Sequence, residues 1–153
     1  MSLQEDKGSF EIFDASAYKV AVVAAQFNQD ISSQLLASAL EACKAYSVPS
    51  SSITVHKVPG CVEVPVILEA LAETKKYDCL IALGTIIRGE TPHFEYVAKI
   101  AADGALQIMM DYGVPVGFGI LTCENKAQAL ARTDAGASAV SAALECVRIK
   151  KSL

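Results

Sequence analysis

Short apolar, β-branched runs alternate four times with segments of helical periodicity along this chain, and that alternation restricts its fold more than any other feature. Y-K-V-A-V-V-A-A, over 18–25, is the first run and has the length of a buried strand. It ends at Q-F-N-Q-D, where Asp30 or Ser32 can cap a helix over 31–46 that repeats Leu35, Leu36, Ala39, Leu40 and Cys43 at helical spacing. I-T-V-H-K-V, over 53–58, has the period of a strand, so His56 reads as a strand residue and not a ligand. Pro65 opens a second helix through Leu68, Leu71 and Ala72 to Lys75 and Lys76, and 78–84 is a third, almost wholly apolar strand. A third helix runs from Thr91 to Tyr112, where Gly113 and Pro115 stop it. The fourth strand covers 116–121. Asn125 and Gln128 then have capping-box spacing for a short helix reaching Arg132, and a last helix over about 136–150 carries Val140, Ala143, Leu144 and Val147 on one face.

Apolar strands alternating with helices predict a parallel sheet covered on both faces, its crossovers right-handed. The expected class is α/β, a three-layer α/β/α sandwich on a four-stranded parallel sheet of the flavodoxin-like kind. Residues 8–13 could add an N-terminal edge strand, or could lie on a neighbouring subunit. At 153 residues the chain is expected to be one domain over 1–153, with 1–10 flexible.

Composition narrows the function classes. Apolar residues make up 52% and charged residues 20%, a globular balance, and a formal net charge of −4 without a basic run argues against nucleic acid. No apolar run reaches membrane-spanning length, and the polar, acidic start fits neither a secretory signal nor a transit peptide. Five widely spaced cysteines without a C-x-x-C pair predict neither a disulfide framework nor a zinc site, but reduced thiols in a cytoplasmic protein. Two histidines exclude a histidine-rich metal site.

In a sheet of this kind ligands bind beyond the carboxyl ends of the strands. The polar, glycine-containing segments 26–30, 59–63, 84–93 and 122–132 all fall there. The most informative is A-L-G-T-I-I-R-G-E-T-P-H-F-E-Y-V, over 82–97. It reads as a strand end, a turn bracketed by Gly84 and Gly89, and a helix start with Thr91 as N-cap and Pro92 at the first helical position. His93 then sits beside free N–H groups that suit a phosphate, and an imidazole there can move protons near neutrality. That combination suggests chemistry on a phosphorylated substrate; the alternative is a capped helix with an incidental histidine. Phe27 could stack on a planar heterocycle or be a core aromatic. Glu63 could accept hydrogen bonds from hydroxyls or be a plain helix-start charge, and Arg132 could neutralise a phosphate or be an ordinary helix-end cation. There is no G-x-S-x-G elbow, P-loop or G-x-G-x-x-G, and Cys61 as a nucleophile would need His93 as its base.

Together these segments resemble the 6,7-dimethyl-8-ribityllumazine synthase family of riboflavin biosynthesis, over about 19–147. G-T-I-I-R-G-E-T-P-H-F-E-Y-V is the most specific stretch; A-Q-F-N, V-P-G-C-V-E-V-P and V-P-V-G-F-G-I-L-T-C-E-N-x-x-Q-A-x-x-R follow the family's order and spacing. The resemblance implies condensation of 5-amino-6-(D-ribitylamino)uracil with 3,4-dihydroxy-2-butanone 4-phosphate, releasing phosphate and water, without cofactor or metal. It implies that Phe27 stacks on the pyrimidine, that Cys61, Val62 and Glu63 line the ribityl pocket, and that Thr85, Ile86 and Ile87 offer backbone groups to the ring edge. Glu90 and Thr91 would hold the phosphate through their amides, and His93 would shuttle protons. Phe118 and Arg132 would come from an adjacent subunit, Arg132 pairing with the phosphate. Family members form homopentamers, some of them twelve-pentamer shells, and riboflavin synthase is a candidate partner. Three departures stand out: Gln26 replaces the usual arginine, Val62 the usual aromatic, and the segment after Arg132 lacks a glycine- and lysine-containing linker. The last puts a lysine–phosphate contact in doubt and favours a pentamer or a dimer of pentamers over a shell. An archaeal-type riboflavin synthase is a rival that the R-G-E-T-P-H segment opposes, and a non-catalytic flavin or lumazine binder is another.

Overall fold

Four runs of small and β-branched apolar residues form the strands β1 (Val20–Ala25), β2 (Ile53–Val58), β3 (Cys79–Ile87) and β4 (Val116–Cys123). In the computed structural model, which describes residue 8 and residues 10–153, they lie in the order β2-β1-β3-β4, and every pairing is parallel. The helices between and after them are α1 (Gln29–Ala45), α2 (Val64–Glu73), α3 (His93–Tyr112), α4 (Lys126–Leu130) and α5 (Ala135–Ser152).

Successive side chains of a strand point to opposite faces, so a strand buried on both must be apolar throughout. In β1 and β3, Val22, Ala24, Ile81 and Leu83 pack under Ala39 and Cys43 of α1 and Val140 and Leu144 of α5. Their neighbours Ala21, Val23, Leu80 and Ala82 pack under Leu68 of α2 and Ala101 and Ala105 of α3. A smaller cluster of Ile31, Leu35, Leu121, Cys123 and Ala129 closes the α4 end. The expected three-layer α/β/α sandwich is therefore the observed one. His56 stands in β2 opposite Val23, as its alternation predicted.

Several element ends differ from expectation. Neither Asp30 nor Ser32 caps α1: Asn28 holds that place in the left-handed region, φ 58°, and makes no side-chain cap. Asp30 instead pairs with Lys126, and Ser32 Oγ donates to the Phe27 carbonyl at 2.8 Å. Strand β3 continues through Ile87, so Gly84 lies inside it and only Gly89 belongs to the turn. Pro92 is the N-cap of α3 and His93 its first residue; Thr91 Oγ1 accepts the His93 N–H, at a long 3.4 Å. Helix α2 stops at Glu73, and α4 at Leu130, two residues short of Arg132. The Asn125 cap is as expected, its Oδ1 accepting the Gln128 N–H at 2.9 Å. Residues 8 and 10–13 form no strand, and the flexible segment expected over 1–10 lies almost entirely outside the described residues. Among the described residues no helix is long and apolar enough to cross a membrane.

Candidate active site

Strand order reverses direction between β1 and β3, and an open parallel sheet leaves a crevice beyond the strands at such a point. The segments after β1 and β2 are joined there by the backbone. Gln26 N–H donates to the Val58 carbonyl at 2.9 Å and Phe27 N–H to the Pro59 carbonyl at 3.2 Å. Asn28 tolerates its positive φ better than a branched residue would, and its Nδ2 donates to the Thr85 carbonyl at 3.2 Å. The turn after β1 is thus pinned to β2 on one side and β3 on the other.

Two glycines let side chains close this crevice. A Cβ on Gly60 would stand 2.6 Å from the Phe27 ring and 3.7 Å from Glu63 Oε2, so Phe27, Gly60 and Glu63 share one patch. A Cβ on Gly84 would stand 2.5 Å from Cys61 Sγ and 3.0 Å from Ala25 Cβ, so Cys61 packs on the backbone of β3 only because that position is bare. Phe27 is 66% exposed, which rules out the core-aromatic reading and leaves a ring face for a ligand. Cys61, Val62 and Glu63 form a single 3-10 turn leading into α2, with Val62 exposed.

Burial, and secondarily the Glu63 carboxylate, push the Cys61 thiol up to about 11, against an opposing contribution from the Thr85 N–H. A thiol raised by burial is a poor nucleophile, which weighs against the nucleophile reading. Thr85 is 3% exposed, and its Oγ1 is buried without a hydrogen-bond partner. Ile86 packs into the α2–α3 core and Ile87 against the α4 cluster, so it is the backbone of this strand end that lies beside the crevice.

Beyond Ile87 the chain turns through Arg88 and Gly89 to Glu90 and Thr91, both exposed, and enters α3 at an exposed His93. The first amides of this twenty-residue helix lack intrahelical acceptors, so they and the dipole favour an anion. Phe27, Cys61, Glu63, Thr85–Ile87 and the 89–93 turn therefore all occupy the carboxyl edge of the sheet around β1 and β3.

Two expected residues stand apart. Phe118 pairs with Ala82 in the middle of β4, roughly 13 Å of strand below Thr122, and is 44% exposed on the free edge of the sheet. It borders an apolar groove of about 880 Å³ between α3, β4 and α5. Arg132 lies past α4, where its Nη1 donates to the Gln128 carbonyl at 2.9 Å, a helix-end arrangement. Its charge acts on Cys123 at the end of β4, opposing the upward push of burial on that thiol. Among the described residues, no hydrogen bond or ion pair joins Phe118 or Arg132 to Phe27, Glu63 or His93.

Four residues that shape this edge carry little signal in sequence. Gly60 acts through its missing side chain, and Asn28 through its positive φ and its side-chain amide. Arg88 Nε–H is shared between the two carboxylate oxygens of Glu124, at 3.1 and 2.9 Å, although the two residues are 36 positions apart. The A-Q-F-N, P-G-C, R-G-E and T-C-E-N stretches held all four, without indicating what each touches.

The matching family model, that of 6,7-dimethyl-8-ribityllumazine synthase, covers residues 17–151. A protein of that name from Desulfovibrio desulfuricans is 41% identical over 145 residues, 92% of this chain and 93% of the relative. One from Nitratidesulfovibrio vulgaris is 39% identical over the same shares. With the family model spanning most of the chain and relatives near 40% identity over nearly all of it, the chain belongs to the 6,7-dimethyl-8-ribityllumazine synthase family.

Proposed function

We propose that this chain condenses 5-amino-6-(D-ribitylamino)uracil with 3,4-dihydroxy-2-butanone 4-phosphate in riboflavin biosynthesis, releasing phosphate and water. One observation carries the reading: in a chain of this family, an exposed aromatic ring, a carboxylate and a helix start bearing a histidine share one sheet edge. Phe27 stacks on the pyrimidine, and Glu63, with Cys61 and Val62 beside it, accepts hydrogen bonds from the ribityl hydroxyls. The backbone of Thr85, Ile86 and Ile87 meets the ring edge. The amides of Glu90 and Thr91 hold the phosphate.

Placing the amine against the ketone supplies most of the acceleration. A C–N bond forms at the ketone carbon and the carbonyl oxygen leaves as water. A proton leaves the carbon next to the imine, and the C–O bond to phosphate breaks with its electron pair departing with the phosphate. The ribitylamino nitrogen then closes the ring by a second C–N bond at the carbonyl that results, expelling a second water. His93 carries the protons between these steps, a contribution of about 10²–10⁴-fold. No residue in this scheme requires a metal or cofactor.

Phe118 and Arg132 complete the site from an adjacent subunit, Arg132 neutralising the phosphate. The assembly is a homopentamer or a dimer of pentamers. Supporting it, α3 exposes Tyr96, Ile100, Leu106 and Met110, and the free edge of β4 exposes Phe118 above an apolar groove. The five free thiols suit a cytoplasmic location.

Mixing the purified protein with both substrates tests the reading. Lumazine fluorescence should develop without a second enzyme; riboflavin binding without product would instead make the chain a flavin binder.

A further inference from the structure

The condensation as described leaves one connected set of side chains unused. It starts at Arg88, the first residue after β3. Its Nε donates to both oxygens of Glu124, its guanidinium carbon stands 4.6 Å from the centroid of the Phe94 ring, and its N–H donates to the Cys123 carbonyl at 2.9 Å. Glu95 adds a second carboxylate, 3.6 Å from Nη1. The Glu124 N–H donates in turn to Gln128 Oε1 at 2.8 Å, and the Gln128 carbonyl accepts from Arg132 Nη1 at 2.9 Å. The Gln128 N–H is itself held by Asn125. An unbroken path of hydrogen bonds thus runs from the base of the 89–93 turn to the guanidinium of Arg132.

Both ends of that path abut groups placed around the phosphate. Arg88 directly precedes Gly89, Glu90 and Thr91. Nothing comes within 4 Å of where a Gly89 Cβ would stand, so no packing holds the turn at that point, and the anchored residue just before it is Arg88. An exposed ion pair adds little to folding stability. A planar guanidinium gripped by one carboxylate and stacked on a ring nevertheless has few orientations left, and that restricts the turn. At the other end, the Gln128 main-chain carbonyl accepts from Arg132 Nη1.

We propose that Glu124 is a positioning residue for the phosphorylated substrate: it sets the 89–93 turn through Arg88. The proposal rests on the synthase reading for the identity of that substrate.

Steady-state kinetics of the assembled, full-length protein test it, with inorganic phosphate as competing ligand. Glu124→Gln should raise KM for the butanone phosphate about five- to tenfold and weaken phosphate competition by the same factor, leaving KM for the pyrimidine within about twofold. Glu124→Asp, which keeps a carboxylate toward Arg88, should recover part of that loss. A uniform rise in both KM values, or unchanged competition by phosphate, overturns the proposal. Absence of turnover in the wild-type chain overturns the synthase reading. Phosphate calorimetry then decides the proposal: a five- to tenfold weaker affinity in Glu124→Gln sustains it, and equal affinities overturn it.

Discussion

His93 and Cys61 illustrate how differently two reactive side chains can be placed on one sheet edge. His93 is exposed at the first position of α3, with its N–H held only by the long contact to Thr91. It is free to meet a substrate, and its expected role is proton transfer and not binding. His93→Ala should therefore slow turnover by about 10²–10⁴-fold while sparing pyrimidine affinity, a split that single-turnover kinetics with equilibrium binding would measure. Lost affinity with normal turnover of the residual complex would contradict the role. Cys61 is held instead by packing, under the bare backbone of Gly84. Burial raises its thiol from 9.0 to about 11, so the folded chain keeps a proton that the unfolded chain has already lost. Stability is unaffected by this group below pH 9 and falls as pH rises from 9 toward 11, by about 2–3 kcal/mol at most. Denaturant titrations should show a smaller loss over that interval in Cys61→Ala than in wild type; equal losses would mean that the Cys61 thiol is not responsible.

At the scale of elements, the contact between α1 and α5 on one face of the sheet depends on a single missing side chain. Gly136, in the first turn of α5, faces the Leu35 carbonyl of α1 so closely that a Cβ would fall on that oxygen. The obstacle is backbone, which cannot swing aside as a side chain can. Gly136→Ala should cost about 1–3 kcal/mol despite the better helix propensity of alanine. A denaturant midpoint at or above that of wild type would show that the helices separate without penalty. Helical periodicity holds no sign of this crossing, because it records which face is apolar and not how near another backbone comes. The ends of elements were obscured for a similar reason. Asp30 and Ser32 have the chemistry of caps, yet Asn28 begins α1, because its amide reaches the Thr85 carbonyl across the crevice. Strand β3 outran its expected end because Ile86 and Ile87 pair with Thr122 and Cys123 of β4, a ladder that no local pattern displays.

For the whole molecule, the separation of Arg132 and Phe118 from His93 within one chain carries a prediction about assembly. If each site draws its histidine turn from one subunit and its arginine from the next, His93→Ala and Arg132→Ala chains should complement one another. Co-assembled in equal amounts, they should regain activity in about a quarter of their sites, whereas mixing the preformed homo-oligomers should regain none. No recovery after co-assembly would place both residues in a site built by a single chain. The sequence alone determined the layers and their order of construction, because four apolar runs separated by amphipathic helices have few other ways to bury both faces of each strand. It also determined the chemical kinds available at the strand ends: a histidine at a helix start, a carboxylate, an aromatic ring. Only the tertiary structure decided which of these lie together. Phe27 meets Gly60 and Glu63 through the adjacency of β1 and β2, Cys61 reaches β3 through the bareness of Gly84, and Arg88 finds Glu124 through the pairing of β3 with β4. Those meetings arise between strand ends distant in the chain, and side-chain periodicity along one segment holds no information about its neighbours in space.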